Sequence, residues 1–408
     1  MNRKFLLSLP LLAGSVFGGS VGDPTPLETS EPDAFKWLTP TIDARLRYEF
    51  RDEDGLDASH ALTARARVGL LLGEFSGFSA FGELEATYAL VDDYTTGVAG
   101  ANPMVAGNTA IGDPENVELN RAWVQWKGHG LALKGGRQRI IRNNAALIGN
   151  VGWRQNEQTY DAVSAAYQGE NFNLFYAYSN RVQRIFGDDA VGAAKAFDGD
   201  FHFIDGSYDF GKAKAGAYVY LIDVDNNPSV GESNTFGGYV TVGPVTLEGA
   251  YQDGTTAIGA MGDNDAWYFH GRVAQKLGGA TYGGGLEYLG DYFKTPFATV
   301  HAFNGFADAF ILQRIGLNNK AGAYTGLADL YLSYVRGGLP LDITFKGFAH
   351  WFLDDGFGHT YGYEADAVLV KKITDELTAI VTGAYFIAED GNGYSDIKQV
   401  TVGLNFKF

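Results

Sequence analysis

Cysteine is absent from the 408 residues, so neither a disulfide framework nor thiol chemistry is open to this chain. Proline is scarce at 11, and Pro24, Pro26, Pro32 and Pro40 crowd near the start. Beyond about residue 40 no Pro- or Ser-rich linker divides the sequence, which reads as one large domain. No run reaches the roughly 18 uninterrupted apolar residues of a membrane-spanning helix, so this chain could cross a bilayer only as a closed barrel. Basic residues are outnumbered, 31 Lys and Arg against 48 Asp and Glu, and the net charge of -17 argues against a nucleic-acid partner. Catalytic signatures are missing as well. No Ser elbow, metal-binding His pair at helical spacing or phosphate-cradling Gly loop occurs, and the seven His are scattered at His60, His129, His202, His270, His301, His350 and His359. His270 and His350 are read as wet interior residues. Asp223-Val224-Asp225-Asn226-Asn227 starts like a calcium loop, but Pro228 and Asn234 stand where that loop needs Gly and Glu. The expectation is no enzyme, no cofactor and no protein-built metal centre. Asp52-Glu53-Asp54 and Asp92-Asp93 are acidic loop clusters that could meet divalent ions bridging lipid phosphates.

What the chain has instead is glycine, 55 residues, and aromatics, 14% of the whole. Its end alternates: Val402, Leu404, Phe406 and Phe408 fall on one face of a strand, while Thr401, Asn405 and Lys407 fall on the other. One face suits lipid and the other water. The start pairs Arg3 and Lys4 with a Leu-rich run and then small residues through Ser20, which predicts a secretory signal peptide over 1–20. Residues 21–40 read as a disordered or loosely docked periplasmic lead-in, and 41–408 as a transmembrane β-barrel.

Alternating segments of the length expected for tilted barrel strands occur near 42–50, 60–72, 77–90, 118–127, 130–140 and 159–168. Others lie near 171–182, 200–210, 213–223, 235–243, 244–253 and 265–277. The last are near 280–290, 324–336, 339–352, 360–372, 376–388 and 397–408. They number about eighteen, with sixteen the nearest alternative. Connections alternate in length. Glycine marks the short ones, as at Gly128-His129-Gly130, Gly243-Pro244 and Gly278-Gly279, whereas 91–117, 141–158, 183–199, 224–234, 254–264 and 291–323 are long. Short periplasmic turns and long external loops are the rhythm of outer-membrane barrels.

Strand parity then decides which side chains face the lumen. Ile42, Ala44, Leu46, Tyr48 and Phe50 share one face of the first strand, leaving Asp43, Arg45, Arg47 and Glu49 on the other. The same alternation turns Arg65 and Arg67 of the second strand inward, with Glu83 and Glu85 of the third and Glu364 and Asp366 of a late one. An Arg facing lipid at mid-membrane costs roughly 2–4 kcal/mol, so four outward arginines would rival a typical stability of about 5–15 kcal/mol. The expected result is an arginine wall beside a carboxylate pair, either mutually neutralised or setting a field across a constriction. In 130–140, Leu131 and Leu133 share a face with Arg137 and Arg139, so a bulge at Gly135-Gly136 is expected to turn the arginines inward. In 141–158 the apolar Ala145-Ala146-Leu147-Ile148 would be ill placed in water, which favours a loop folded into the barrel mouth with Trp153, Arg154, Asn156, Glu157 and Gln158. The late loop around His301 to Asp308 would cap the mouth similarly.

Three stretches resemble the alginate-export family of outer-membrane porins. The first runs from Asp113-Pro114-Glu115 and Glu118-Leu119-Asn120-Arg121-Ala122 through Gly136-Arg137-Gln138-Arg139-Ile140 to Gly149-Asn150-Val151-Gly152-Trp153-Arg154-Gln155-Asn156-Glu157. The second is Thr295-Pro296-Phe297 on to Asp308, and the third is Arg45-Leu46-Arg47-Tyr48-Glu49 with Arg65-Ala66-Arg67. The resemblance implies a single-chain barrel of eighteen strands with an electropositive constriction, to which Arg45, Arg47, Arg65, Arg67, Arg121, Arg137, Arg139 and Arg154 correspond. It implies an anionic cargo; the excess of acid over base departs from the alginate pattern. The reading is therefore an all-β outer-membrane porin of a bacterial cell, facing lipid and lipopolysaccharide. It would be a monomer by preference, passing a hydrophilic, anionic solute or oligosaccharide passively. The alternatives are a dedicated exporter of an anionic polysaccharide such as alginate, or a plugged structural or adhesin barrel.

Overall fold

The structure, a computed structural model, describes residues 37–255, 263–315 and 326–408. The signal peptide expected at 1–20, and the lead-in as far as residue 36, lie outside the described residues. Eighteen strands occur among those described. They begin with β1 (Leu38–Glu53), β2 (Ser59–Phe75), β3 (Phe78–Asp93), β4 (Asn116–Gly128), β5 (Leu131–Gln138) and β6 (Thr159–Gln168). β7 (Phe172–Gln183), β8 (Ala196–Asp209), β9 (Ala213–Val224), β10 (Glu232–Val242), β11 (Val245–Thr255) and β12 (Asp263–Leu277) follow. The wall ends with β13 (Ala280–Leu289), β14 (Leu327–Leu339), β15 (Ile343–Leu353), β16 (Thr360–Lys372), β17 (Leu377–Ala388) and β18 (Ile397–Lys407).

Each strand pairs antiparallel with its sequence neighbours, and β1 closes on β18 from Asp43 opposite Lys407 to Glu53 opposite Ile397. Closure leaves no edge, which is what the bilayer interior requires of a sheet. The barrel and its even strand number are those read from the sequence. Tight turns follow the even-numbered strands. At the one after β12 both Gly278 and Gly279 have positive φ, the backbone a two-residue hairpin loop demands. Longer connections follow the odd-numbered strands, although 54–58 and 354–359 are short members of that rim. β1 overruns its sequence-based limits at both ends, because its pairing continues to Leu38 opposite Leu72 on the tight-turn side and to Glu53 opposite Ile397 on the long-loop side.

Alternation divides the wall. Leu84 is 60% exposed and Tyr88 62%, while Glu83 and Glu85 on either side of Leu84 are buried. In β18, Val400, Val402, Leu404 and Phe406 point outward and Gln399 and Asn405 inward. Outward aromatics collect at two levels, with Phe75, Phe78, Phe172, Phe210 and Phe408 near the tight turns. Tyr88, Trp267, Trp351, Tyr363 and Tyr385 lie toward the long-loop rim. Paired aromatic girdles around an apolar band are the exterior of a membrane barrel, since amphipathic rings favour the two interfaces.

The bulge expected at Gly135-Gly136 is not there. β5 runs in unbroken register against β4 and against β6. Gly136 instead allows close approach to the Ala122 carbonyl, where a Cβ would overlap it. The irregularity falls one strand pair earlier, between Glu83 and Leu84, where Asn120 is the extra residue of β4. Its side chain turns inward and donates to Glu83 and Glu157, 2.8 Å to each.

Candidate functional site

Three connections fold into the barrel rather than away from it: 94–115, 139–158 and the described part of 290–326. Composition explains the second. Leu147 and Ile148 join an apolar cluster with Tyr160, Phe201 and Phe203 from the wall and Phe297 from the third connection. Phe297 meets Tyr160, Phe201 and Phe203 edge-on at centroid separations of 6.1, 4.9 and 6.1 Å. The two connections are zipped by backbone, Gly149 N–H donating to the Phe297 carbonyl at 2.8 Å and Thr299 N–H to that of Ala145 at 3.0 Å. Gly149 is required at this crossing, because a Cβ there would overlap Thr299 Oγ1. The tip of the third connection docks on the far wall. Ala307 N–H donates to Glu364 at 2.7 Å, Asn304 Nδ2 to Glu287 at 2.9 Å and to Asp329 at 3.3 Å, and Arg51 to the Ala307 carbonyl at 2.8 Å.

Packing of these loops buries the arginines. Arg45, Arg47, Arg65, Arg67, Arg121, Arg139 and Arg154 all face inward and are buried, as are Glu83, Glu85, Glu364 and Asp366. Six of the seven arginines have a carboxylate. Arg65 pairs with Asp43, and Arg67 with Glu85 and, at 3.4 Å, with Glu157. Arg121 grips Glu83 with Nε and Nη2 at 2.9 and 2.8 Å, and Arg139 grips Glu157 at 2.6 Å twice. Arg154 Nη1 reaches both oxygens of Glu49 at 3.1 and 3.0 Å, and Arg47 pairs with Asp113. Arg45 is the seventh. It donates to Asn405 Oδ1 at 2.7 Å and to the carbonyls of Gly152, Trp153 and Arg154 at 3.2, 2.8 and 2.9 Å. Among the described residues no carboxylate stands within ion-pair distance of it.

Asp113 and Glu157 are supplied by loops, and their chemistry follows from their neighbours. Burial raises the Asp113 carboxyl, but Arg47, Arg154 and the Gln155 N–H outweigh it and leave it below its usual value. Glu157 is held well below the usual range: burial raises it, but the guanidiniums of Arg139 and Arg67 prevail. The sequence signal for the neutralisation was present in β1 itself, where Asp43, Arg45, Arg47 and Glu49 alternate on one face. Asp113 and His301 were not singled out as site residues, because strand parity says nothing about loops.

One placement differs from expectation. Arg137 is on the outer face of β5, next to the long-loop end, and is neutralised by Asp161 through contacts of 2.7 and 3.1 Å. Without the bulge, parity turns it outward, and near the interface an outward charge costs about 0–1 kcal/mol rather than the mid-membrane figure. Glu364 and Asp366 lie inward, as their strand parity implies, and line the wall with His350, which contacts Asp329 at 2.9 Å and Asp366 at 3.4 Å. His270 bonds the Tyr331 hydroxyl at 2.9 Å. Among the described residues no cluster of three or more His, Asp or Glu is placed to hold a metal ion.

A slot is left between the packed loops and the wall of β17, β18 and β1. It is lined by Arg45, Arg47, Asn405 and Thr382 on one side and by Trp153 and His301 on the other, and its volume is about 30 Å³. Trp153 and His301 stack at 3.4 Å and 17°, the Arg154 guanidinium lies 3.9 Å from the Trp153 ring, and His301 Nδ1 contacts Asp308 at 3.0 Å. The room is about that of one water molecule.

This wall and loop are what known families share with the chain. Residues 36–188 match the alginate export family. The seven arginines from Arg45 to Arg154 described above lie in that stretch, whereas Glu364, Asp366 and the resembling segment 295–308 lie beyond it. No curated protein matches the chain. Among solved structures, OccAB4 of Acinetobacter baumannii superposes with a TM-score of 0.65 at 12% identity, covering 91% of this chain and 98% of that one. OpdO of Pseudomonas aeruginosa gives 0.64 at 14% identity over 91% and 97%. The outer membrane protein opdK of Pseudomonas aeruginosa gives 0.62 at 13% over 91% and 98%. At these identities the likeness is one of fold, and it extends over nearly the entire barrel.

Proposed function

We propose that this chain is a passive channel of the bacterial outer membrane for a small hydrophilic anion. The closed wall with its apolar exterior suits lipid and lipopolysaccharide, and the outer-membrane origin of opdK, a barrel of the same fold, supports that location. The observation that carries the reading is Arg45, a guanidinium with no carboxylate within ion-pair distance among the described residues, lining the slot with Arg47 beside it. A charge held by carbonyl and amide dipoles keeps a positive potential that a paired arginine would cancel. Catalysis forms no part of this reading, and the channel works as a monomer.

Polysaccharide export has the family match over 36–188 in its favour. A water-sized slot does not accommodate a sugar chain unless the packed loops withdraw. The same narrowness favours a plugged structural barrel as the second reading. Planar-bilayer recording separates them. A channel of this kind passes current with a reversal potential displaced toward that of chloride in a KCl gradient, and Arg45→Met removes the displacement. A barrel that passes no current is plugged, and a conducting one whose Arg45→Met variant keeps its anion preference refutes the role of Arg45.

A further inference from the structure

Two donors and a further guanidinium converge on one carboxylate beside the slot. Asp113 takes Arg47 Nη2 from β1, the Gln155 N–H at 3.0 Å and, at 3.6 Å, Arg154 Nη1. Two guanidiniums and a backbone N–H are what a site for a free carboxylate would offer. The carboxylate here comes from a loop. Tyr94 holds it in place by donating its hydroxyl to the Asp113 carbonyl at 2.5 Å, and Tyr94 packs with Ile111, Ala61 and Ala89. Arg47 also lines the slot, and its Nε is buried with no hydrogen-bond partner, so one guanidinium serves both the slot and the loop carboxylate.

We infer that Asp113 is an internal anion, occupying the station on Arg47 and Arg154 that a permeating anion would otherwise use and thereby setting the anion selectivity of the channel. This rests on the channel reading. Two other carboxylates reach the pair: Glu49, fixed in a strand, is 3.4 Å from Arg47 and 3.0 Å from Arg154, and Asp308 is 3.9 Å from Arg154. Asp308 answers Arg154 alone. Without Asp113, Arg47 keeps only the strand carboxylate that it shares with Arg154, next to the slot.

The test compares Asp113→Ala and Asp113→Asn with the parent full-length barrel in planar bilayers. Both variants gain anion over cation permeability, by about tenfold where the freed donors recover the roughly 1.4 kcal/mol of a hydrogen bond to a charged group. Millimolar acetate returns Asp113→Ala toward the parent selectivity by refilling the vacated space, and it leaves Asp113→Asn, whose amide fills that space, unchanged. A purely structural role for Asp113 would not give acetate rescue of one variant alone. Parent-like selectivity in both variants, or an equal response of both to acetate, overturns the inference while the channel reading stands. If the parent passes no current, the channel reading fails on its own, and acetate binding to the folded Asp113→Ala barrel is then measured calorimetrically. No excess over the parent overturns the site itself.

Discussion

Replacing Glu157 by Leu should release the 139–158 loop from the lumen without unfolding the barrel. The carboxylate accepts two bonds from Arg139 at 2.6 Å and one each from Asn120 and Asn150 at 2.8 and 2.7 Å, and it stands 3.4 Å from Arg67. Arg67 retains Glu85, while Arg139 loses the two bonds that Glu157 accepts from it. Removing one partner of a buried pair costs about 3–5 kcal/mol, because the remaining charge stays desolvated. That cost falls on the loop, since β5 and β6 remain paired to each other and to their neighbours whether or not the loop is docked. The absence of cysteine makes the assay direct. A cysteine placed at Ala146, which is fully buried, reacts with a maleimide only when the loop opens. Where opening and closing outrun labelling, the rate follows the open population and should rise by roughly two to three and a half orders of magnitude. Single-channel conductance should rise in parallel. Labelling within threefold of the parent, in a barrel that keeps its strand content, would refute the argument that Glu157 holds the loop.

Gly149→Val places a branched side chain where a single Cβ already overlaps Thr299, so it should separate the two loops at a cost of about 1–3 kcal/mol and lower the temperature of loop release. Differential scanning with the Ala146→Cys reporter reads that shift. Lys294 supplies a pH dependence. Its ammonium is buried between the carbonyls of Val230 and Glu232, at 2.5 and 3.0 Å, and burial lowers it from 10.5 to about 8. The released loop therefore binds more protons than the docked one between pH 8 and 10.5, so docking strengthens as pH rises through that window and gains nothing below it. The protection factor of the 294–300 backbone, taken against the base-catalysed intrinsic exchange rate at each pH, should rise over this range in the parent and stay flat in Lys294→Met.

Legibility in the sequence followed the physics. A period of two in each strand and the alternation of Gly-marked turns with long connections are local, so the eighteen strands, their order and the inward set from Arg45 to Glu85 could be read from residue spacing alone. Arg137 shows where that ends. Its orientation turned on whether two glycines made a bulge or a close approach, and both use the same residue type. The lumen was legible only in part for a second reason. Carboxylates that answer the arginines arrive from 94–115 and 139–158, and no periodicity connects Asp113 with Arg47 or Glu157 with Arg139 across the barrel. The apolar run from Ala145 to Ile148 did point inward, because the cost of exposing it does not depend on where the partners come from.

The neutralised wall also explains how a chain so acidic can carry a cluster of buried, inward-facing arginines. A guanidinium in open water needs no counter-charge, but loops packed across the lumen remove that water, and a buried arginine then requires a carboxylate or a set of aligned dipoles. The acid that accompanies the arginines is thus a consequence of filling the barrel. At Arg45 the dipoles replace the carboxylate, and this substitution is possible where the loop bends to present the carbonyls of Gly152, Trp153 and Arg154 to one side chain. The bend is made by Val151, whose φ of 53° lies in the left-handed region, and it turns three carbonyls toward β1 just where Trp153 stacks on His301. The loop that narrows the slot is therefore also what supplies Arg45 with carbonyls in place of a carboxylate, so on the channel reading selectivity and closure would depend on the same few residues.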